Sequence, residues 1–185
     1  MGSMMIFRYK GEVYIACDKG SGNDQRAYSV AKKFDDGVII GCTGAETLCN
    51  VIHYDCPAFD LSEADDFGEY LFKAWRLKLL SALTRHNAEK FEDGVPVIDG
   101  TIYIGYQARV FEIDRTKSLF EASPDQSYLV TGKGSDCFKY AYDSLVQLQS
   151  RNLFRKARFD FLKELLDLAS SYNGDIIGRI EVVGR

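Results

Sequence analysis

Two apolar runs of about five residues, Met5 to Tyr9 and Val13 to Cys17, open the chain on either side of Lys10-Gly11-Glu12. Five residues is a usual strand length, and Gly11 supplies the turn, so the pair predicts an antiparallel hairpin. A polar, glycine-rich stretch from Asp18 to Asp24 follows, then a short strand over Tyr28 to Phe34. Asp35-Asp36-Gly37 is a hairpin turn, and Val38 to Cys42 is a continuous apolar run of the kind buried on both faces. From Gly44 the period lengthens. Ala45, Leu48, Cys49 and Ile52 stand three and four apart, which predicts a helix ending before Pro57. Ser62, with Asp65 three residues on, predicts the start of a second helix carrying Phe67, Leu71, Ala74, Trp75, Leu79 and Ala82 on one face and running to about Asn87. Strands are then predicted at Gly100 to Tyr106, Val110 to Ile113, Leu119 to Ala122 and Tyr128 to Thr131. Two helices follow, Asp136 to Ser150 and about Arg155 to Ser170, and a last strand, Ile176 to Val183.

Strands and helices thus come in blocks, which argues for an α+β layered fold rather than alternating βαβ units. Two sheets face to face, with helices outside each, would bury every apolar face. A chain of 185 residues without a linker, repeat or low-complexity tract reads as one domain over residues 1–185.

Composition narrows the function classes. A net charge of −4 and a pI of 5.3 give no electrostatic footprint for nucleic acid. No apolar run is long enough to span a bilayer. Five cysteines without a CxxC pair, and no signal peptide, predict buried thiols in a reducing, cytoplasmic setting. Cys42, Cys49 and Cys56 are spaced by seven, which a packed helical face explains as well as a metal does. The two histidines, His53 and His86, are not in ligand-spaced positions, and no metal or cofactor is expected. Gly132-Lys133-Gly134-Ser135 lacks the spacing of a phosphate loop. Met1-Gly2-Ser3 before Met4-Met5 reads as a cloning remnant ahead of a native start.

Four stretches carry a resemblance: KGEVYIACD from Lys10 to Asp18, the pair Lys32-Lys33, VIIGCTG from Val38 to Gly44, and TGKGSD from Thr131 to Asp136. In order and spacing, and over nearly the whole chain from Met5 to Val183, they resemble the proteasome β subunit and bacterial HslV group of N-terminal nucleophile (Ntn) hydrolases. The resemblance implies a four-layer αββα sandwich, assembly into a homo-oligomeric ring, an ATP-dependent unfoldase as partner, and a peptide or protein substrate. It also implies a nucleophile on an N-terminal Thr whose own amine serves as base. Carried over, Asp18 is the carboxylate after the second strand, Lys33 (or Lys32) the lysine that lowers the nucleophile's pKa, and Gly44 the oxyanion-binding backbone N–H. Cys42 and Glu46 fall in the substrate pocket, and Ser135 is the assisting serine.

The match also has departures. Counting back from Asp18 puts Gly2 at the nucleophile, and the nearest hydroxyl, Ser3, is one residue out of register, which in a strand is the opposite face. Lys133 stands where the family has Ser, Gly20 where it has Arg, and Ser170 about where it has Asp. Asp18 is equally a turn former, and Lys33 equally a solvated charge at a strand end. Three functions follow: a peptidase using Ser3, a catalytically silent ring-forming or scaffolding subunit, and an Ntn-fold module that binds a ligand without turnover.

Overall fold

A computed structural model describes residues 2–18, 29–62, 64–132, 135–150 and 180–184. The first hairpin joins β1 (Met4–Tyr9) to β2 (Glu12–Asp18). Lys10 and Gly11 both take positive φ, +50° and +78°, the two-residue turn whose twist suits a hairpin. A second hairpin pairs β3 (Ser29–Lys33) with β4 (Ile39–Gly44), every residue of which is buried. Helix α1 (Glu46–Tyr54) follows at once.

The next helix departs from its expected start. Ser62 does not cap it; its amide and hydroxyl both donate to Asp60. The cap is Asp66, whose side chain accepts from the Glu69 amide at 2.9 Å. The helix then runs through α2 (Phe67–Tyr70), a π-helical turn over Leu71–Trp75, and α3 (Arg76–Arg85). Trp75, fully buried, stacks on Phe59 with centroids 4.6 Å apart and donates from its indole N–H to the Pro57 carbonyl at 3.0 Å.

A small hairpin that the apolar pattern did not predict comes next, β5 (Glu89–Glu92) with β6 (Val95–Ile98). It turns on Asp93-Gly94 at φ +49° and +78°. Then come β7 (Gly100–Tyr106), β8 (Arg109–Ile113), β9 (Leu119–Glu121), β10 (Tyr128–Thr131), α4 (Ser135–Ser150) and β11 (Ile180–Gly184). The helix expected at about Arg155 to Ser170 lies outside the described residues, as do the first residues of the expected last strand.

Among the described residues the strands form a four-stranded sheet, β10-β1-β2-β11, and a five-stranded sheet, β3-β4-β7-β8-β9, beside the β5–β6 hairpin. Strand alternation assigns the faces. Met4, Ile6, Ile15 and Cys17 of the first sheet meet Ile39, Tyr103 and Val110 of the second in a core between the sheets. On the outer face of the first sheet, Met5, Phe7, Tyr14 and Ala16 pack against Phe138, Ala141 and Tyr142 of α4. On the outer face of the second, Ile40, Cys42, Ile102 and Phe111 pack against α1 and α3. The order is helix, sheet, sheet, helix: the α+β four-layer sandwich.

One side chain ties the sheets together at a strand end. Arg8 of β1 donates from Nε to the Ala108 carbonyl (2.7 Å), from Nη1 to those of Ser123 (2.7 Å) and Gln126 (2.5 Å), and from Nη2 to that of Ala122 (3.1 Å). Its own amide donates to the Ser127 carbonyl at 2.8 Å, and its carbonyl accepts from Tyr142 of α4 at 2.8 Å.

Candidate functional site

The expected site residues converge only in part, and the point of convergence is the start of β1. Met4 is paired with Cys17 on one side and with Thr131 on the other. The ladder extends one residue further, because the Asp18 amide donates to the Ser3 carbonyl at 2.9 Å. Met4 faces the space between the sheets, so by alternation Gly2 faces it too, while Ser3 lies on the opposite face with Met5. The Gly2 carbonyl accepts from Thr43 Oγ1 at 2.8 Å, and Ser29 Oγ donates in turn to Thr43 Oγ1 at 3.3 Å. Thr43 and Ser29 are directly opposite each other on β4 and β3, and both are buried. Gly132 closes the other side. It holds φ +92°, and a Cβ there would lie 2.0 Å from the Gly2 carbonyl oxygen, so only glycine permits this approach.

Ser3 is fully buried, and its hydroxyl has no hydrogen-bond partner among the described residues. A hydroxyl becomes a nucleophile when a base lies within hydrogen-bond reach, and among the described residues none is bonded to this one. Asp18 is 4% exposed at the end of β2, where Ile180 of β11 pairs with it.

Lys33 is elsewhere. It is opposite Ile39, four positions along β3 from the Ser29–Thr43 pair, or about 13 Å of strand, and it is exposed. The inward-facing residue of β3 opposite Gly41 is Ala31. Lys32 points the other way, its ammonium 5.0 Å from the Phe34 ring centroid and 3.5 Å from the His53 carbonyl. The structure therefore brings neither lysine to Gly2 or Ser3, because the strand register sets them at the turn end of the β3–β4 hairpin.

Gly44 ends β4 next to Thr43. It adopts φ +146°, and a Cβ would fall 2.1 Å from the Asp99 carbonyl oxygen and 2.5 Å from the Gly100 Cα. Close packing of β4 on β7 is thus a sufficient reason for glycine here. Cys42 faces α1 rather than the gap between the sheets, its sulfur 3.4 Å from that of Cys49. Burial and the neighbouring Cys49 push the Cys42 thiol well above its ordinary range. Burial also raises Cys56, to about 12. Glu46 is exposed in the first turn of α1, and Ser135 is half-buried at the start of α4. Gly20, Lys133 and Ser170 lie outside the described residues.

Sequence reading overlooked Thr43, whose hydroxyl reaches the Gly2 carbonyl, and Ser29, which donates to Thr43. The available signal was Thr43 itself, a hydroxyl residue inside an otherwise apolar run that alternates with Cys42. Among the described residues no group of three or more His, Cys, Asp or Glu could hold a metal ion. A surface cavity of about 260 Å³ lies along α2 and α3, lined by Asp60, Asp65, Asp66, Glu69, Lys73 and Lys78 among others, and includes no residue of the Gly2 cluster. Among the described residues no helix is long and apolar enough to cross a membrane.

No protein-family model matches the chain, and no curated protein matches it in sequence. Solved structures do match in shape. Thiobacillus denitrificans BPH, in a complex with epoxomicin, is 17% identical over 99% of this chain and 97% of that one, with a TM-score of 0.62. Eukaryotic HslV from Trypanosoma brucei is 14% identical over 98% of both chains, with a TM-score of 0.53. Anbu (ancestral beta-subunit) from Yersinia bercovieri is 12% identical over 98% of this chain and 80% of that one, with a TM-score of 0.56.

Proposed function

We propose that this chain, whose fold is the proteasome/HslV-like Ntn fold, does not hydrolyse peptide bonds and serves as a self-associating structural subunit. The observation that carries the proposal is the split at the start of β1. The position facing the gap between the sheets is Gly2, which has no side chain to attack with, and the adjacent hydroxyl, Ser3, is buried on the other face with no hydrogen-bond partner among the described residues. The placement of Lys33 and Lys32 supports the same reading, since the register of β3 on β4 sets both at the turn end of that hairpin, away from Gly2 and Ser3. Support for self-association comes from the shape match to Anbu, one solved form of which is a helical assembly of the Pseudomonas aeruginosa complex. A cytoplasmic location fits this reading; an unfoldase partner and a peptide substrate belong to the peptidase alternative.

Two measurements on the purified protein test the proposal. A panel of fluorogenic peptides should show no hydrolysis above the buffer rate, and sedimentation velocity should show a homo-oligomer. Hydrolysis abolished by Ser3→Ala would overturn the non-catalytic half, and a strict monomer at all concentrations would overturn the other.

A further inference from the structure

Cys42 and Cys49 sit on different elements, the first in the fully buried strand β4 and the second one turn into α1. Their sulfurs are 3.4 Å apart, and Cys49 Sγ also lies 4.0 Å from the Cys42 carbonyl oxygen. A disulfide needs about 2.05 Å between sulfurs, so bonding asks for a relative movement of roughly 1.4 Å, within the reach of small side-chain rotations. Both residues are free thiols. Cys56, the next cysteine along, has its thiol 3.8 Å from the Pro57 carbonyl oxygen and no sulfur contact to Cys42 or Cys49 among the described residues. The two sulfurs are thus placed to react with each other.

We propose that Cys42 and Cys49 form an oxidation site that closes to an intramolecular disulfide when the folded protein meets hydrogen peroxide. The step balances without any other reactant. One sulfur, as thiolate, attacks a peroxide oxygen and the O–O bond breaks, giving a sulfenic acid and hydroxide, which takes up the proton released by the thiol. The second thiol then attacks that sulfur, the S–O bond breaks and water leaves. Two thiols and one peroxide become one disulfide and two waters; the sulfurs lose two electrons and the peroxide gains them. Peroxide is small enough to enter where both side chains are at most 1% exposed, whereas a bulky disulfide oxidant is not. Burial disfavours the thiolate, so the site responds to sustained rather than brief exposure.

The position gives the bond a structural effect. Cys42 immediately precedes Thr43, whose hydroxyl holds the Gly2 carbonyl, and Gly44, which packs against Asp99 and Gly100. A bond to Cys49 fastens this end of β4 to α1 and so fixes the segment on which the Gly2 cluster rests.

Peptide mapping tests this. The folded protein is treated with hydrogen peroxide, quenched with catalase, denatured in N-ethylmaleimide and cut without reductant by a protease specific for glutamate. Cleavage after Glu46 separates Cys42 from Cys49 unless they are bonded. The fragment ending at Glu46 also carries Cys17, and the next carries Cys56; the expected result is a linked pair of fragments, released by dithiothreitol, formed in the folded state and retained in both Cys17→Ala and Cys56→Ala. Recovery of both cysteines fully alkylated after prolonged peroxide would overturn the proposal. So would a link that is lost in Cys17→Ala or in Cys56→Ala, or that forms only in urea.

Discussion

Arg8 offers a measurable test of how the two sheets are held in register. Its guanidinium donates to four backbone carbonyls, those of Ala108, Ala122, Ser123 and Gln126, on the turn between β7 and β8 and the loop between β9 and β10. A hydrogen bond from a charged donor contributes about 1.5–3 kcal/mol in mutational series. Arg8 is half-buried and its bonds share one rigid plane, so the contributions are discounted by solvent and do not add. Arg8→Met keeps an apolar stem while deleting every donor, and is expected to cost about 2–4 kcal/mol. With a urea dependence of about 2 kcal/mol per molar, the midpoint falls by roughly 1–2 M. Trp75, the single tryptophan of the chain and fully buried in the other outer core, supplies the fluorescence signal for the transition. Arg8→Lys should recover less than half of the loss, because a point charge cannot serve four oxygens held in a fan. An Arg8→Met midpoint within about 0.3 M of the parent would refute the idea that this clamp joins the sheets.

Two further predictions follow from named contacts. Gly44→Ala places a Cβ 2.1 Å from the Asp99 carbonyl oxygen at φ +146°, whereas Gly11→Ala at φ +78° meets nothing within 4 Å; in thermal melts the first should cost more than about 3 kcal/mol and the second only about 1. Glu89 accepts from Lys117 at 2.6 Å and from Thr84 at 2.7 Å. Burial alone would raise this carboxyl, but Lys117 and Thr84 together outweigh it and hold the folded-state pKa below the ordinary value. The pair therefore stabilises the fold above the unfolded carboxylate pKa and loses that contribution as pH falls through the depressed folded value. A pH series of melts on Lys117→Met should show a flatter acid limb than the parent, and parallel limbs would discard the pairing argument.

Much of the architecture was legible in the apolar pattern because burial and period coincide. β1, β2, β4 and β7 read correctly to within two residues, since strands buried on one or both faces leave continuous or alternating apolar runs. The α1 face read correctly for the same reason. The β5–β6 hairpin did not, because three of its four β5 residues and Val95 are exposed, so neither strand writes an apolar signature. Its only mark was Asp93-Gly94. The second helix was placed too early because Ser62 satisfies a capping pattern in sequence but spends its hydrogen bonds on Asp60. At the candidate site, the opposite facing of Gly2 and Ser3 follows from counting alternate residues back from Met4. Lys33 lies apart from it, because the sequence marked the turn at Asp35-Asp36-Gly37 but not which end of the β3–β4 hairpin lies against the start of β1. Register decides that, and register is a property of pairing.

The four-stranded sheet has a consequence for how the chain must fold. β1 and β2 lie at its centre, flanked by β10 and β11, whose residues come from 128–131 and 180–184. During synthesis the first hairpin therefore emerges with apolar residues on both faces and with both ladder edges open, and its neighbours arrive only after most of the chain has been made. Contacts of such long sequence separation close slowly. The interval leaves an unpaired strand pair exposed to other copies of itself, so aggregation during refolding should rise steeply with protein concentration and be relieved by a chaperone that masks strand edges.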